Sequence, residues 1–115
     1  MRIAVPSKKP GGLKSEVEPH FGRAACYTLV DIEDGRIKDV AVVQQPQGEH
    51  RPGVVPRLLK RHGVDVVLVY GMGPRAAQML EAMGIKVVGG AMGLVEDAVH
   101  GFLSGSLSGG PKRLK

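Results

Sequence analysis

The segment of this 115-residue chain with the most distinctive chemistry is Pro19-His20-Phe21-Gly22-Arg23. The imidazole of His20 can ligate iron or another transition metal, and the guanidinium of Arg23 could neutralise an anionic ligand. A structural alternative is equally simple, because His20 could order the loop while Phe21 fills the core. The residue types alone therefore leave a ligand site and a structural loop both open.

A second candidate is Gly71-Met72-Gly73-Pro74-Arg75, which opens a predicted helix. The free N–H groups and the dipole of a helix start favour an anion, and Arg75 adds a forked cationic donor. The alternative is a tight strand–helix turn with a solvated Arg75. The Lys-Ser/Thr pair and the G-x-G-x-x-G spacing are both missing, which argues against the common nucleotide-binding motifs.

Cys26 is the only cysteine, so neither an internal disulfide nor an all-cysteine iron–sulfur site can form within one chain. It follows the His20 loop and could face the same site as a second ligand. Burial in the sheet is the alternative.

Several other side chains are weaker candidates. His50 could be a mobile ligand or a solvated loop residue, whereas Met72 and Met92 could be soft ligands or gap-filling side chains. His62 and His100, near helix ends, are interpreted as structural. No nucleophile–base motif is present, and clustered carboxylates for a two-metal nuclease are missing, so we expect a protein that is not an enzyme.

Hydrophobic patterning supplies the elements that would position these residues. Glu33-Asp34-Gly35 indicates a hairpin, and the apolar run 64–70 is typical of a buried parallel strand. The predicted strands are 2–6, 26–33, 36–44, 64–70 and 85–88, and the predicted helices are 54–62, 74–83 and 94–104. This order predicts an α/β fold with a five-stranded mixed sheet and helices on its faces.

In such sheets, ligands bind beyond the carboxyl ends of the parallel strands. Three Gly-rich segments leave strands at that edge: the loop 7–25, the turn 71–73 and the loop 89–93. Glycine lets the backbone approach a ligand closely, which adds Gly89, Gly90 and Gly93 to the candidate site.

Composition and charge set the remaining expectations. The length fits one domain, which we place at 1–105, followed by a basic, flexible C-terminal tail at 106–115. The formal net charge of +5 could attract nucleic acid or an anionic cofactor. Residues 2–6 are predicted to form a strand and no apolar run reaches about 20 residues, so we expect a cytoplasmic protein without a membrane segment.

These segments together resemble the dinitrogenase iron–molybdenum cofactor biosynthesis family. The resemblance covers about residues 1–105 and rests on five segments in the expected order: Arg2-Ile3-Ala4-Val5-Pro6, Pro19-His20-Phe21-Gly22-Arg23-Ala24, Gly63-Val64-Asp65-Val66-Val67, Gly71-Met72-Gly73-Pro74-Arg75-Ala76 and Gly84-Ile85-Lys86-Val87. Cys26 stands where an apolar or aromatic residue is common, so this position departs from the family pattern.

The resemblance implies a ribonuclease-H-like fold in which the first and fourth strands are neighbours, which would bring the His20 loop next to the Gly71 turn. It also implies a carrier of an iron–sulfur or iron–molybdenum type cluster, or its precursor, that receives its cargo from a donor protein and passes it to an acceptor. Carried over by position, His20 would be the metal ligand. Cys26 departs from the family pattern and is a candidate second ligand only because it follows the His20 loop. The other binding residues would be Phe21, Gly22, Arg23, Gly71, Gly73, Pro74 and Arg75.

Three alternatives concern the function and the assembly. A basic nucleic-acid-binding module is motivated by the net charge, but interleaved aromatics and a basic stripe are missing. An enzyme for a small anion or phosphate ligand would use the helix start at 73–75. An open sheet edge also makes a homodimer a reasonable expectation.

Overall fold

The computed structural model describes residues 1–46, 53–107, 109 and 112–113 of the chain. Its strands and helices, in chain order, are β1 (Arg2–Ser7), β2 (Cys26–Glu33), β3 (Arg36–Gln44), α1 (Val54–Arg61), β4 (Val66–Leu68), β5 (Gly71–Met72), α2 (Pro74–Ala82), β6 (Lys86–Val88), α3 (Val95–Leu103) and β7 (Lys112–Arg113).

Five of the strands form one mixed sheet in the order β3-β2-β1-β4-β6. β1 runs antiparallel to β2 and parallel to β4, while β3 is antiparallel to β2 and β6 is parallel to β4. The expected mixed α/β sheet is therefore confirmed, and so is the expectation that the first and fourth strands are neighbours.

Both faces of this sheet are covered, which explains why β1 and β4 are almost continuously apolar. Leu59 of α1 and Leu80 of α2 pack with Ala4 and Val67 on one face. Val95 and Val99 of α3 pack on the other face in a second apolar cluster. Helices thus lie on opposite sides of one sheet, as the order of elements predicted.

The hairpin between β2 and β3 follows from its turn residues. Asp34 and Gly35 both have positive φ, at 54° and 74°. A two-residue turn with positive φ at both positions matches the twist of the flanking strands, and Asp-Gly is a favoured sequence for it. This turn sets the pairing that continues from Glu33↔Arg36 to Cys26↔Gln44, with one irregularity between Asp31 and Ile32.

The predicted strand at 64–70 is shorter in the structure, where β4 covers only Val66–Leu68. At its start, the Val64 N–H bonds the Leu59 carbonyl and completes the end of α1 instead of joining the sheet. Beyond it, Gly71–Met72 leave the main sheet and pair as β5 with Lys112–Arg113. The apolar run thus contributes to a helix end and to β4, and β5 follows it in a different ladder.

The long segment between β1 and β2 is organised by two 3-10 turns, at Gly12–Lys14 and Phe21–Arg23. Single bridges join Ser7 to Val17 and Glu16 to Leu94, so the segment folds back along the end of the sheet. Within the described residues, no helix has the length and apolar character needed to cross a membrane.

Candidate functional site

A cavity of about 270 Å³ lies at the carboxyl-end edge of the sheet. Both distinctive sequence motifs contribute to its walls. The lining residues are His20, Phe21, Gly22, Arg23, Met72, Gly73 and Ala76.

The parallel pairing of β1 with β4 brings these two motifs together. The register Ile3↔Val66 and Ala4↔Val67 places the segments after both strands at the same edge. There, His20 forms a parallel bridge with Gly71. Two segments about 50 residues apart in the sequence therefore meet through backbone pairing.

Hydrogen bonds fix the shape of the turn that carries His20. The His20 N–H donates to Glu18 Oε2 at 3.0 Å, and the Arg23 N–H donates to the His20 carbonyl at 2.9 Å. The imidazole of His20 is only partly buried and has no hydrogen-bond partner in the described part of the chain. It is therefore available to a ligand in the cavity.

Phe21 is both a core residue and a wall of the cavity. It is 4% exposed, and its ring lies 5.5 Å from the ring of Tyr27 at an angle of 56°. The structural and ligand-binding interpretations of this loop are thus compatible, because Phe21 anchors the turn while His20 and Arg23 border the cavity.

Two residues that support this turn were missed by the sequence analysis, Tyr27 and Gln45. The buried Tyr27 hydroxyl donates to the Phe21 carbonyl at 2.8 Å, and Gln45 Nε2 donates to the Gly22 carbonyl at 3.1 Å. Burial raises the pKa of the Tyr27 phenol, so it remains a proton donor. The available signal was a tyrosine inside a predicted strand, since a buried hydroxyl needs a partner.

The electrostatics of the cavity favour an anion. Gly73 precedes the first residue of α2, and its carbonyl accepts the N–H of Ala77 at 3.2 Å. The N–H groups of Arg75 and Ala76 consequently have no partner within the helix, and Ala76 borders the cavity. Arg23 adds a cation to the wall, whereas Arg75 is exposed and lies outside the lining.

Cys26 is placed away from the lining. It is 1% exposed, and its thiol faces the Ser7 carbonyl at 3.9 Å. Burial raises the pKa of this thiol, which disfavours the thiolate that a metal ligand must become.

The glycines of the 89–93 loop are also outside the cavity lining. Gly89 donates its N–H to the Gly109 carbonyl at 3.0 Å, and Gly90 donates to the Tyr70 carbonyl at 3.3 Å. The Gly93 carbonyl accepts the N–H of Val17 at 2.8 Å. The structure thus uses these residues to hold neighbouring backbone segments.

The remaining candidates are dispersed. Met72 is 3% exposed and lines the cavity, whereas Met92 is 64% exposed in its loop. His62 and His100 lie at and near the ends of α1 and α3, away from the lining. His50 lies outside the described residues.

The cavity lining contains one imidazole, that of His20, among the side chains that commonly ligate metals. In the part of the chain that the structure describes, no three His, Cys, Asp or Glu side chains come together to hold a metal ion. One imidazole, one guanidinium and the backbone N–H groups at the start of α2 are the polar groups that the cavity offers to a ligand.

Solved structures of other proteins share this fold. A crystal structure of the protein PH0822 superposes with a TM-score of 0.85 at 42% identity, covering 94% of this chain and 95% of that one. The apo form of the orange protein from Desulfovibrio gigas gives 0.83 at 35% identity, with 97% and 96% covered. An uncharacterised Methanocaldococcus jannaschii protein, MJ0580, is 29% identical over 110 residues, which is 93% of this chain and 89% of that protein.

The family model described as dinitrogenase iron-molybdenum cofactor matches residues 1–105, which include both cavity-lining motifs. Since that match spans all but the last ten residues, the chain belongs to the dinitrogenase iron-molybdenum cofactor family.

Proposed function

We propose that this protein is a carrier for an iron–sulfur or iron–molybdenum type cluster, or its precursor, and is not an enzyme. The observation that carries the proposal is that both motifs line one cavity, which His20 and Arg23 border together with Met72 and Gly73. Membership of a family named for the iron–molybdenum cofactor supports a role associated with that cofactor. The apo form of the related orange protein indicates that this relative takes a bound group.

Each residue of the site has a defined task in this proposal. His20 supplies the metal ligand, and the N–H groups at the start of α2 face the negative charge of the cluster. Arg23 offsets charge at the rim, where its exposure leaves it free to move with the cargo. Cys26 contributes to the core in this scheme, since its thiol is buried.

A carrier must also release its cargo. One protein ligand and a mostly exposed rim bind less firmly than a closed four-ligand site, which favours transfer. We propose that a donor protein in cofactor assembly loads the site and that an acceptor protein unloads it. We also propose that the strand order β3-β2-β1-β4-β6 is the ribonuclease-H-like arrangement.

The test is a loading experiment with the purified apo-protein. Wild type is mixed anaerobically with iron–sulfur or iron–molybdenum cluster donors, and visible absorbance is followed through gel filtration. His20→Ala should lose the co-eluting colour. His100→Ala removes an exposed imidazole on α3 and should retain it, as should Cys26→Ala.

The outcomes separate the proposal from its rivals. Colour retained by His20→Ala would remove His20 as the ligand, and colour lost from Cys26→Ala would restore the thiol to that role. No retained colour in wild type with every donor would overturn the carrier. Binding of inorganic phosphate instead would favour the small-anion alternative, because the helix start at Gly73 suits any anion.

A further inference from the structure

The main sheet ends in two edge strands of different length. At one edge β6 has only three residues, Lys86–Val88, whereas at the other edge β3 has nine, Arg36–Gln44. Among the described residues, no strand pairs with the outer side of β3. A short edge strand offers few free backbone groups to another chain, but a long one is a template for further pairing. The edge at which a second chain could add a strand is therefore β3.

The second half of β3 combines free backbone groups with apolar side chains. Residues 40–43 read Val-Ala-Val-Val. Val42 is 37% exposed, and Ala41 is exposed as well. Val40 and Val43 are only partly buried. Uncharged, mostly β-branched residues at an open edge are typical of strands that associate edge to edge, so this half of β3 has the features of a self-association surface.

The direction of the backbone groups in β3 follows from a hydrogen bond just after the strand. The Gln45 N–H donates at 3.1 Å to the carbonyl of Ala25, the residue before β2. Because the N–H groups of successive strand residues point to opposite sides, the even-numbered residues before Gln45 point theirs away from β2. The N–H groups of Val40 and Val42 consequently face the open edge.

The carboxylate of Asp39 occupies one of these outward N–H groups. Asp39 Oδ1 accepts the Val40 N–H at 3.0 Å, in an exposed position. Asp39 has no ion-pair partner in the part of the chain that the structure describes. Across the ladder it lies opposite Asp31, whose partner is Arg2. Since like charges on opposite residues do not stabilise a strand pair, the pairing of β2 with β3 does not explain an aspartate at this position.

We propose that the Asp39 carboxylate prevents residues 40–44 of β3 from pairing with the same edge of a second copy of this chain. In an antiparallel pair with a two-fold axis at Ala41, Val40 of one copy would lie opposite Val42 of the other. This register needs the Val40 N–H as a donor, and Asp39 already accepts from it. The inference is independent of the proposed carrier function.

The charge of Asp39 opposes the same pairing. In this register Asp39 would lie opposite Val43 of the second copy. Pairing would therefore move two carboxylates out of water and place them beside apolar side chains, without a cation to compensate them among the described residues. The carboxylate thus acts against self-association both as a competing acceptor and as a charge.

The test compares the mass of wild type with that of three variants by sedimentation velocity over a range of protein concentrations. Asp39→Val removes the acceptor and the charge together. Asp97→Val is the matched control, because it makes the same change at an exposed aspartate of α3 that has no ion-pair partner among the described residues. The third variant combines Asp39→Val with Val42→Pro, since proline removes the outward N–H of residue 42 that pairing also needs.

Wild type and Asp97→Val should sediment as monomers of 12.2 kDa. Asp39→Val should dimerise at a concentration at least about tenfold below any at which wild type does, because the Val40 N–H is free to bond the second copy. Adding Val42→Pro should restore the monomer. A monomeric Asp39→Val would overturn the proposal, and so would a dimer that persists after Val42→Pro is added.

Amide hydrogen exchange locates the pairing and checks that the sheet is intact. In Asp39→Val, exchange at Val40 and Val42 should slow at least about tenfold between dilute and concentrated protein. Exchange at Gln45, whose N–H bonds Ala25 within one chain, should match that of wild type at both concentrations. A dimer in which Val40 and Val42 gain no protection would associate through another surface and would overturn the role of Asp39.

Discussion

The His20 turn has a structural role and also borders the cavity, although the residue types alone suggested these two roles as alternatives. Phe21 is buried against Tyr27, yet it also borders the cavity. His20 is oriented by its backbone bond to Glu18, which leaves its imidazole free for a ligand. The loop can therefore be structural and available to a ligand at the same time. The buried Phe21 holds the turn in place, and the turn puts His20 and Arg23 at the cavity.

Tyr27→Phe tests whether this support matters to the site. The substitution removes the hydroxyl that bonds the Phe21 carbonyl, which should lower the free energy of unfolding by about 1–3 kcal/mol. It should also weaken cluster retention, since the turn loses an anchor. Urea unfolding and the gel-filtration colour assay measure the two effects.

Thr28→Val is the matched control for this substitution. It removes a buried hydroxyl from the next residue of β2, where Thr28 Oγ1 lies 2.7 Å from Ser7 Oγ. It should reduce stability while leaving cluster retention unchanged. The side chains of Thr28 and Ser7 bond each other and the Val5 carbonyl, and not the turn at Phe21–Arg23. Equal retention by both variants at matched stability would contradict a supporting role for Tyr27.

Most elements could be predicted from the sequence, because hydrophobic periodicity and turn residues report directly on burial. The predicted hairpin and the three helices are found within one or two residues of their expected bounds. The shortening of the predicted strand 64–70 to β4 and the separate pairing of β5 just after it were not predictable. Strand length there depends on which distant segment provides the partner, and local pattern contains no information about a ladder with Lys112–Arg113.

The site could be predicted only as two separate motifs. Their juxtaposition needs the parallel pairing of β1 with β4, which the family resemblance supplied and which periodicity alone does not. Tyr27 and Gln45 act through single hydrogen bonds to carbonyls of the turn. Such bonds depend on side-chain placement across the fold, so the sequence offered little sign of them.

The pairing of β1 with β2 contains an ion pair whose contribution to stability should depend on pH. Arg2 Nε donates to Asp31 Oδ1 at 2.6 Å, and its other nitrogens reach Asp31 Oδ2 and the His62 carbonyl. The bond from Arg2 lowers the pKa of the Asp31 carboxyl. A carboxyl with a lowered folded-state pKa stabilises the fold above its unfolded pKa of about 3.9 and loses that effect as the pH falls.

Asp31→Asn should therefore be less stable than wild type at pH 7, and the difference should shrink as the pH falls below about 4. Urea unfolding from pH 7 to pH 2.5 measures it. Asp34→Asn makes the same chemical change in the hairpin turn, where the carboxylate has no ion-pair partner among the described residues. If the free energies of unfolding of wild type and Asp31→Asn differed by a constant amount over this pH range, the ion pair with Arg2 would not be the source of the difference.

At the scale of the whole molecule, three lysines of this chain, whose formal net charge is +5, are paired with carboxylates. Lys8 pairs with Glu16, Lys14 with Glu96, and Lys38 with Glu33. These pairs neutralise part of the basic surface on three different elements. The positive charge that these three lysines offer to a nucleic-acid backbone is consequently reduced.

This distribution predicts weak binding to nucleic acid. Affinity for double-stranded DNA falls steeply with salt according to the number of phosphates contacted, and scattered cations contact few at once. We expect binding in a filter assay to be weak at 50 mM salt and lost by about 200 mM, with a shallow salt slope. Under the proposed carrier function, an iron–sulfur or iron–molybdenum type cluster should remain bound at 200 mM, since His20 at the cavity would hold it as a ligand in addition to the attraction of charge. A DNA affinity that survives 200 mM salt with a steep slope would instead indicate a phosphate-binding surface that the carrier function does not require.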